Sequence, residues 1–260
     1  MENQFSNRID LGNVQQSAVS IKTEIAKHIV GQSEMVELLI IAILADGHVL
    51  LEGVPGVAKT LTAKLLARTI HAGFKRIQFT PDLMPSDIIG TSVFNAKTTE
   101  FEFRKGPLFA NIILADEINR SPAKTQAALF EAMEERQVTS DGTTHKLGSP
   151  FMVLATQNPI EQEGTYRLPE AQLDRFLFKI EVNYPSLENE TEILKNFHER
   201  RNVIDLENIA TVMNATDIKA IREKVYSVHV ENNLLSYIAG IVNSTRNNTS
   251  LFLGASPRAS

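Results

Sequence analysis

The sequence predicts an α/β protein with a mostly parallel five-stranded sheet, followed by a small all-helical domain. Short apolar runs alternate with helical patterns over residues 48–182, which is typical of a parallel sheet. The segment 110–115, which is apolar apart from Asn111, suits a strand that is buried on both faces. Beyond Pro185 the patterns are only helical. We therefore expect an α/β domain over residues 1–185 and a helical domain over residues 186–260.

Composition limits the classes of protein. The 260 residues correspond to one large domain with a smaller companion, at about 150 residues per domain. The absence of cysteine excludes disulfides, thiolate zinc sites, iron–sulfur clusters and a cysteine nucleophile. A net charge of −5 disfavours a general nucleic-acid binder. With no apolar run near the ~20 residues that a bilayer requires and no signal-peptide pattern, we expect a cytoplasmic protein.

Five short segments that are mainly apolar or that alternate apolar and polar residues are expected to be strands: residues 48–51, 76–79, 110–115, 151–156 and 176–182. Helices are expected where apolar residues recur every three or four positions: residues 13–28, 33–45, 60–70, 121–137, 169–174, 187–200, 217–226 and 234–245. Ser33, Ser121 and Thr216 are predicted N-caps, with Pro122 in the first turn of the helix after Ser121. Pro81, Pro85 and Gly90 are expected to interrupt regular structure. Residues 91–103 and 138–147 suggest two hairpins.

One glycine-rich segment lies between the first strand and the helix at 60–70. It fits the P-loop pattern of a glycine, four residues and Gly-Lys-Thr, except that Ala58 replaces the second glycine. The expected nucleotide-binding residues here are Gly53, Val54, Pro55, Gly56, Val57, Ala58, Lys59, Thr60 and Leu61. Backbone N–H groups would cradle phosphates, Lys59 would reach the β and γ phosphates, and Thr60 would hold Mg²⁺. If the loop needs left-handed angles, Ala58 costs roughly 1–2 kcal/mol.

A pair of acids, Asp116-Glu117, ends the strand at 110–115, at the sheet edge where ligands bind. Taken alone, such a pair is more often a solvated turn. Beside a P-loop, the first acid is expected to hold Mg²⁺ and the second to polarise the attacking water. At the end of the next strand, Asn158 is the candidate to orient that water or to contact the γ-phosphate, although an Asn before Pro is commonly a turn residue.

The order of these motifs resembles the AAA+ ATPases, and specifically the MoxR family. The resemblance rests on Gly-Val-Pro-Gly-Val-Ala-Lys-Thr from Gly53, Asp-Glu-Ile-Asn-Arg from Asp116, Ala-Thr-Gln-Asn-Pro from Ala155, and Leu-Pro-Glu-Ala-Gln-Leu-Asp-Arg-Phe from Leu168. It covers essentially the whole chain. It implies a P-loop NTPase αβα sandwich with a helical lid, and it assigns the two hairpins to the inserts of the clade that contains MoxR and the magnesium chelatases.

The resemblance also implies roles for single residues. Asn158 falls at sensor 1, and Arg258 matches sensor 2, at the start of a lid helix. Arg175 is similar to the arginine finger, which in AAA+ rings reaches the nucleotide of the neighbouring subunit; Arg167 and Arg120 are weaker candidates for a role at that boundary. The segment implied to line the adenine is Val30, Gly31 and Gln32.

The expected function is ATP hydrolysis with Mg²⁺ by a ring, hexameric by resemblance, that remodels or matures partner proteins. The family's partners often carry von Willebrand factor A domains. An AAA+ motor on nucleic acid or transcription machinery is an alternative, but no Gly-Ala-Phe-Thr-Gly-Ala loop occurs between Gly90 and Gly106. A GTP switch is disfavoured because no Asn-Lys-x-Asp segment occurs. A module that binds nucleotide without turnover is disfavoured by Glu117.

The end of the sequence resembles the beginning of a helix. Ser256 is a suitable N-cap, Pro257 suits the first turn, and only two residues follow Arg258. A helix that short is not stable alone. We therefore expect the 260 residues to be part of a longer protein.

Overall fold

A computed structural model of the protein describes residues 11–157, 168–199, 206 and 208–259. The helices are α1 (Gly12–Ala26), α2 (Ser33–Leu44), α3 (Lys59–Thr69), α4 (Pro85–Ile89), α5 (Ala123–Glu135), α6 (Glu170–Leu173), α7 (Leu187–Glu199), α8 (Ala215–Tyr226) and α9 (Asn232–Arg246). The strands are β1 (Val49–Gly53), β2 (Phe74–Gln78), β3 (Gly90–Asn95), β4 (Glu100–Lys105), β5 (Ile112–Asp116), β6 (Gln137–Ser140), β7 (Thr143–Lys146), β8 (Met152–Gln157) and β9 (Phe178–Val182).

Five of these strands form one sheet in the order β2-β5-β8-β1-β9, with every neighbouring pair parallel. The chain therefore has the predicted α/β fold with a five-stranded parallel sheet. Because all five strands run in one direction, their carboxyl ends lie at one edge. The P-loop segment after β1 and the acids at the end of β5 meet at that edge.

The three central strands of the sheet, β5, β8 and β1, are buried on both faces, as expected inside a parallel sheet. Successive residues of a strand point to opposite faces, and in β1 Val49 and Leu51 join one apolar cluster while Leu50 joins the other. The first cluster includes residues of α1, α2 and α3, and the second includes residues of α5. Helices thus cover both faces, which gives the αβα sandwich.

Two antiparallel hairpins, β3-β4 and β6-β7, lie outside the main sheet, as the sequence predicted. They contact each other through their side chains. The His145 ring stacks on Phe103 with centroids 4.1 Å apart, and the Ser92 hydroxyl donates to Asp141 Oδ2 at 2.5 Å. Two segments that are separate in sequence therefore form one joined structure.

Several local predictions were wrong. Pro85 begins the short helix α4 instead of interrupting structure; Asp87 Oδ2 accepts a bond from the Met84 N–H at 2.8 Å and caps it. Ser33 is the first residue of α2 and makes no capping bond, because Gln32 holds the N-cap position. Pro122, not Ser121, is the N-cap of α5. The cap of α8 is Asn214, whose Oδ1 accepts from the N–H groups of Thr216 and Asp217.

Contacts divide the described residues into two compact units. One unit ends at Arg222 and contains the sheet, while the other begins at Glu223 and contains α9. The domain boundary predicted at residues 185 and 186 stays a prediction. In the part of the chain that the structure describes, no helix combines the length and apolar character that crossing a bilayer needs.

Candidate nucleotide site

A cleft of about 460 Å³ lies at the carboxyl edge of the sheet. Its walls come from the loop after β1, the start of α3, and the ends of β2, β5 and β8. The residues that line it are Gly53, Pro55, Gly56, Val57, Ala58, Lys59, Thr60, Leu61, Arg76, Gln78, Asp116, Glu117 and Thr156. The cleft therefore brings together most of the predicted P-loop and both predicted acids; Val54 packs against the apolar core instead.

The loop has a backbone that depends on its small residues. A Cβ atom at Gly53 would lie 2.2 Å from the carbonyl oxygen of Val182 at the end of β9, so only glycine fits there. Gly56 has a φ of +84°. Ala58 has φ 60° and ψ 18°, which is the left-handed region. The loop thus needs the conformation that the missing glycine would supply, at a cost of roughly 1–2 kcal/mol.

Lys59 is the first residue of α3 and is half-buried in the cleft. Its Nζ donates to the carbonyl oxygen of Gly53 at 2.7 Å, so the side chain folds back over the loop. Burial lowers the pKa of Lys59, and the carboxylates of Asp116 and Glu117 act in the opposite direction. The ammonium group thus lies between the loop and the two acids, where phosphate oxygens would meet it.

Asp116 is held at both carboxylate oxygens. The Thr156 hydroxyl, from β8, donates to Oδ1 at 2.6 Å. The Arg76 guanidinium, from β2, donates to Oδ2 through Nε at 3.0 Å and through Nη2 at 2.6 Å. The sequence did not single out Thr156 or Arg76, because both contacts cross between strands and depend on the register of the sheet.

Glu117 follows Asp116 with φ 55° and ψ 49°, a left-handed conformation at the carboxyl end of β5. Its N–H donates to the Thr156 hydroxyl at 2.9 Å, so one threonine positions both acids. Glu117 Oε2 accepts from Gln78 Nε2 at 3.1 Å and from Arg120 Nη1 at 2.8 Å. This carboxylate is about one-third exposed, so a water molecule can approach it.

The donor set suits a small hard cation. Mg²⁺ prefers oxygen ligands and is usually bound by one or two carboxylates together with substrate phosphates. Asp116 and the Thr60 hydroxyl are oxygen donors that line the same cleft. Among the residues that the structure describes, no group of three or more His, Cys, Asp and Glu side chains forms a metal site. A cation at Asp116 would therefore complete its coordination with phosphate and water.

The segment predicted to line the adenine lies beside a second cleft, also of about 460 Å³. Gly31 and Gln32 line it together with residues at the end of β9, whereas Val30 does not. Gln32 Nε2 donates to the Asn183 carbonyl oxygen at 3.3 Å, one residue beyond the Val182 that Gly53 contacts. The end of β9 therefore connects the P-loop with this segment, and its role in binding adenine stays a prediction.

The remaining predicted residues lie elsewhere. Arg175 follows α6 and forms an ion pair with Glu134 of α5. Its Nη1 also donates to the Phe130 carbonyl oxygen at 3.4 Å. Arg175 does not line the cleft of its own chain. Arg258 lies in the other compact unit, in a short 3₁₀ helix where its N–H donates to Ser256 Oγ at 3.1 Å. Asn158 and Arg167 lie outside the described residues.

The chain is similar in sequence to known proteins. The family model described as "ATPase family associated with various cellular activities (AAA)" matches residues 48–178. The chain is 53% identical to the uncharacterized protein YeaC of Bacillus subtilis, over 89% of this chain and 71% of that protein. It is 48% identical to Chaperone MoxR1 of Mycobacterium tuberculosis, over 91% of this chain and 64% of that protein.

A solved structure of an ATPase candidate from Cytophaga hutchinsonii superimposes on the chain with a TM-score of 0.81. The two sequences are 43% identical, and the match covers 96% of this chain and 80% of the other. The chain also matches Protein MoxR of Methylorubrum extorquens at 30% identity, over 86% of this chain and 67% of that protein. Sequence and fold therefore point to the same group of proteins.

Proposed function

The chain belongs to the MoxR family of AAA+ ATPases, and from this premise we propose that it binds ATP and hydrolyses it at the cleft between the P-loop and Asp116-Glu117. The observation that carries the proposal is the convergence of Lys59, Thr60, Asp116 and Glu117 on one cleft. These residues come from two separate motifs. Only the parallel sheet brings them to a common edge.

Each of these residues has a distinct task in the proposed reaction. The backbone N–H groups of the loop and the N-terminus of α3 bind the phosphates, since both favour negative charge. Lys59 turns from the Gly53 carbonyl oxygen to the β and γ phosphates. Thr60 and Asp116 hold Mg²⁺, which neutralises charge on the phosphate oxygens when it is bound.

Glu117 is the proposed residue that polarises the attacking water. Its carboxylate is held by Gln78 and Arg120, and Thr156 fixes its backbone, so its direction toward the cleft is set before the substrate arrives. A carboxylate that accepts the proton of water in the transition state contributes about 10²- to 10⁴-fold to a rate. Asn158 is proposed to orient the same water.

The wider role proposed for the protein is that of a chaperone-like ring in the cytoplasm. The support is membership of the MoxR family, one of whose members is named Chaperone MoxR1. In this proposal the subunits form a hexamer, Arg175 reaches the nucleotide of the next subunit, Arg258 acts as sensor 2 and Val30, Gly31 and Gln32 line the adenine. Client proteins with von Willebrand factor A domains are the proposed partners.

Two variants test the proposed hydrolysis. Lys59→Ala should lose both ATP binding and hydrolysis, because it removes the cation that meets the phosphates. Glu117→Gln should keep ATP binding but lose about 100-fold or more of the turnover, because an amide does not accept the proton. Binding is measured by isothermal titration calorimetry, and turnover by phosphate release.

The matched control is Glu131→Gln, which neutralises an exposed carboxylate of α5 away from the cleft. It should bind and hydrolyse ATP like the wild type. Undiminished turnover in the Glu117→Gln protein would contradict the proposed mechanism, and binding without turnover in the wild type would favour a nucleotide-binding module. Because Glu117→Gln should hold ATP-bound complexes, a pulldown with it tests for client proteins.

A further inference from the structure

Arg76 is bound to the carboxylate that the proposed function reserves for Mg²⁺. Its Nε and Nη2 atoms both donate to Asp116 Oδ2, and Nη2 also donates to Gln78 Oε1 at 2.8 Å. The Asp116 side chain is 16% exposed, while that of Arg76 is 49% exposed. The carboxylate therefore stays in place, and the guanidinium has room to move into the cleft that it lines.

The sheet fixes this pairing. Strands β2 and β5 are parallel neighbours, with Gln78 opposite Asp116 and Arg76 opposite Leu114. Residues two positions apart in a strand share a face. Arg76 and Gln78 thus lie on one face of β2, and each contacts one of the two consecutive acids, Arg76 contacting Asp116 and Gln78 contacting Glu117.

The charges imply competition. Thr156 occupies Asp116 Oδ1 and Arg76 occupies Oδ2, so a cation or its bound water reaches this carboxylate only by displacing or sharing a donor. Arg76 lowers the negative potential that Asp116 offers to a cation. The same guanidinium adds positive charge to a cleft that must receive phosphate. Arg76 should therefore oppose the cation and favour the phosphate.

We propose that Arg76 competes with Mg²⁺ for Asp116 and thereby sets how strongly nucleotide binding depends on Mg²⁺. The inference rests on the proposed function, since it takes Asp116 as the cation ligand. When the cation takes the Asp116 carboxylate, the guanidinium, which is the more exposed of the two groups, moves into the cleft and binds a phosphate oxygen of the nucleotide. Arg76 thus acts on the cation indirectly, through Asp116, and on the nucleotide directly, through the phosphate oxygen.

The test compares nucleotide affinity with and without Mg²⁺. The probe is AMP-PNP, a non-hydrolysable ATP analogue, titrated calorimetrically in excess EDTA and then at increasing Mg²⁺ concentration. In Arg76→Gln, the metal-free affinity should fall, because positive charge is lost. The Mg²⁺ concentration for half-maximal enhancement should also fall, because Asp116 is released. The ratio of the AMP-PNP affinity in saturating Mg²⁺ to the affinity in EDTA should rise about 10-fold, which is the effect expected from the loss of one charged hydrogen-bond contact.

Two further variants separate this role from a structural one. Lys75→Gln removes an exposed positive charge from the neighbouring position of β2, where the side chain points to the other face, and should match the wild type. Arg76→Lys keeps the charge but loses the two-donor contact, so it should fall between the wild type and Arg76→Gln. Thermal unfolding shows whether Arg76→Gln folds. If it does not fold, Arg76→Lys tests the proposal in its place.

The outcomes are distinct. If the wild type binds AMP-PNP and Arg76→Gln shows the same or a smaller Mg²⁺ enhancement, the competition is refuted while the proposed ATP binding stands. An equal change in Lys75→Gln would also refute it, because the effect would then come from net charge alone. If the wild type does not bind AMP-PNP under any of these conditions, the proposed function itself fails.

Discussion

Two residues of the candidate site, Ala58 and Glu117, have left-handed backbone angles that non-glycine residues seldom adopt. Such angles persist where the surrounding structure holds them, and they cluster at functional sites. The contacts of Glu117 with Thr156, Gln78 and Arg120 supply such a frame. For Ala58, the loop between β1 and α3 supplies it.

Replacing Ala58 by glycine should stabilise the protein. The change removes the steric cost of the left-handed region and adds the entropy cost of glycine in the unfolded chain, which leaves a net gain of about 0.5–1 kcal/mol. The measurement is the free energy of unfolding from urea denaturation. Ala127→Gly, at an exposed position inside α5, is the control and should cost about 1 kcal/mol. Equal destabilisation by both variants would contradict the strain at Ala58.

The sequence allowed prediction of the site residues that stand at fixed spacing within a motif. Lys59, Thr60, Asp116 and Glu117 were found in this way, and the structure gathers them in one cleft. Arg76, Gln78 and Thr156 could not be found from spacing, because they reach the acids from neighbouring strands. Only the strand order and register reveal which residues face Asp116 and Glu117.

At the scale of elements, one buried histidine joins the loop before β1 to α5 and β8. His48 Nδ1 accepts from the Val153 N–H at 3.0 Å, and Nε2 lies 3.2 Å from the Met133 carbonyl oxygen, to which it donates. This pattern requires a neutral ring with its proton on Nε2. Burial, with the nearby charges of Arg136 and Arg222, lowers the pKa of His48 to about 3.

The stability of the fold should consequently fall in mild acid. The unfolded chain binds a proton at His48 below pH 6.5, whereas the folded chain does so only near pH 3. The contribution of the neutral His48 ring to the free energy of unfolding is therefore complete above pH 6.5 and is lost progressively as the pH falls toward 3. Between pH 7.5 and pH 5, the His48 contribution to the free energy of unfolding should decrease by about 2 kcal/mol.

The measurement is urea denaturation at both pH values for the wild type and for His48→Gln, which keeps a donor and an acceptor but does not titrate. The gap in stability between the two proteins should narrow by about 2 kcal/mol at the lower pH. His198→Gln, at an exposed position of α7, should retain the pH dependence of the wild type. A constant gap would show that His48 is not held neutral.

The strands and hairpins were predictable because each has a short local pattern, and their boundaries shifted by only a few residues. The errors arose where a side chain decides the start of a helix. Pro85 was interpreted as a breaker, yet proline suits the first helical turn, and the Asp87 carboxylate accepts from the N–H of Met84 at the N-cap. Asn214 was overlooked in favour of Thr216, although its side-chain Oδ1 accepts from two backbone N–H groups at once.

At the scale of the whole molecule, Arg175 is the residue that we propose to act across a subunit boundary. Its side chain is held by Glu134 and the Phe130 carbonyl oxygen, both of α5, on the surface of the unit that contains the sheet. A guanidinium held in this way has a defined direction and suits phosphate oxygens. It does not line the cleft of its own chain, which agrees with a target on another subunit.

Mixing two inactive variants should restore part of the activity if Arg175 acts across a subunit boundary. In a ring of equal parts Arg175→Ala and Lys59→Ala, about a quarter of the interfaces join an intact Lys59 to an intact Arg175. Phosphate release should rise above that of either variant alone. Native mass spectrometry verifies that mixed rings form, and mixed rings without recovered turnover would count against Arg175 as the residue acting in trans.

The contact between the two hairpins has a mechanical consequence. The His145 ring stacks on Phe103, and the Ser92 hydroxyl is hydrogen-bonded to Asp141. A force applied to the tip of β3-β4 is therefore shared with β6-β7. The hairpin β3-β4 follows α4 and the hairpin β6-β7 follows α5, so the joined hairpins are connected to the rest of the protein at two places. Two joined hairpins that are connected at two places resist bending better than a single hairpin. A displacement at either connection would move the tips of both hairpins together.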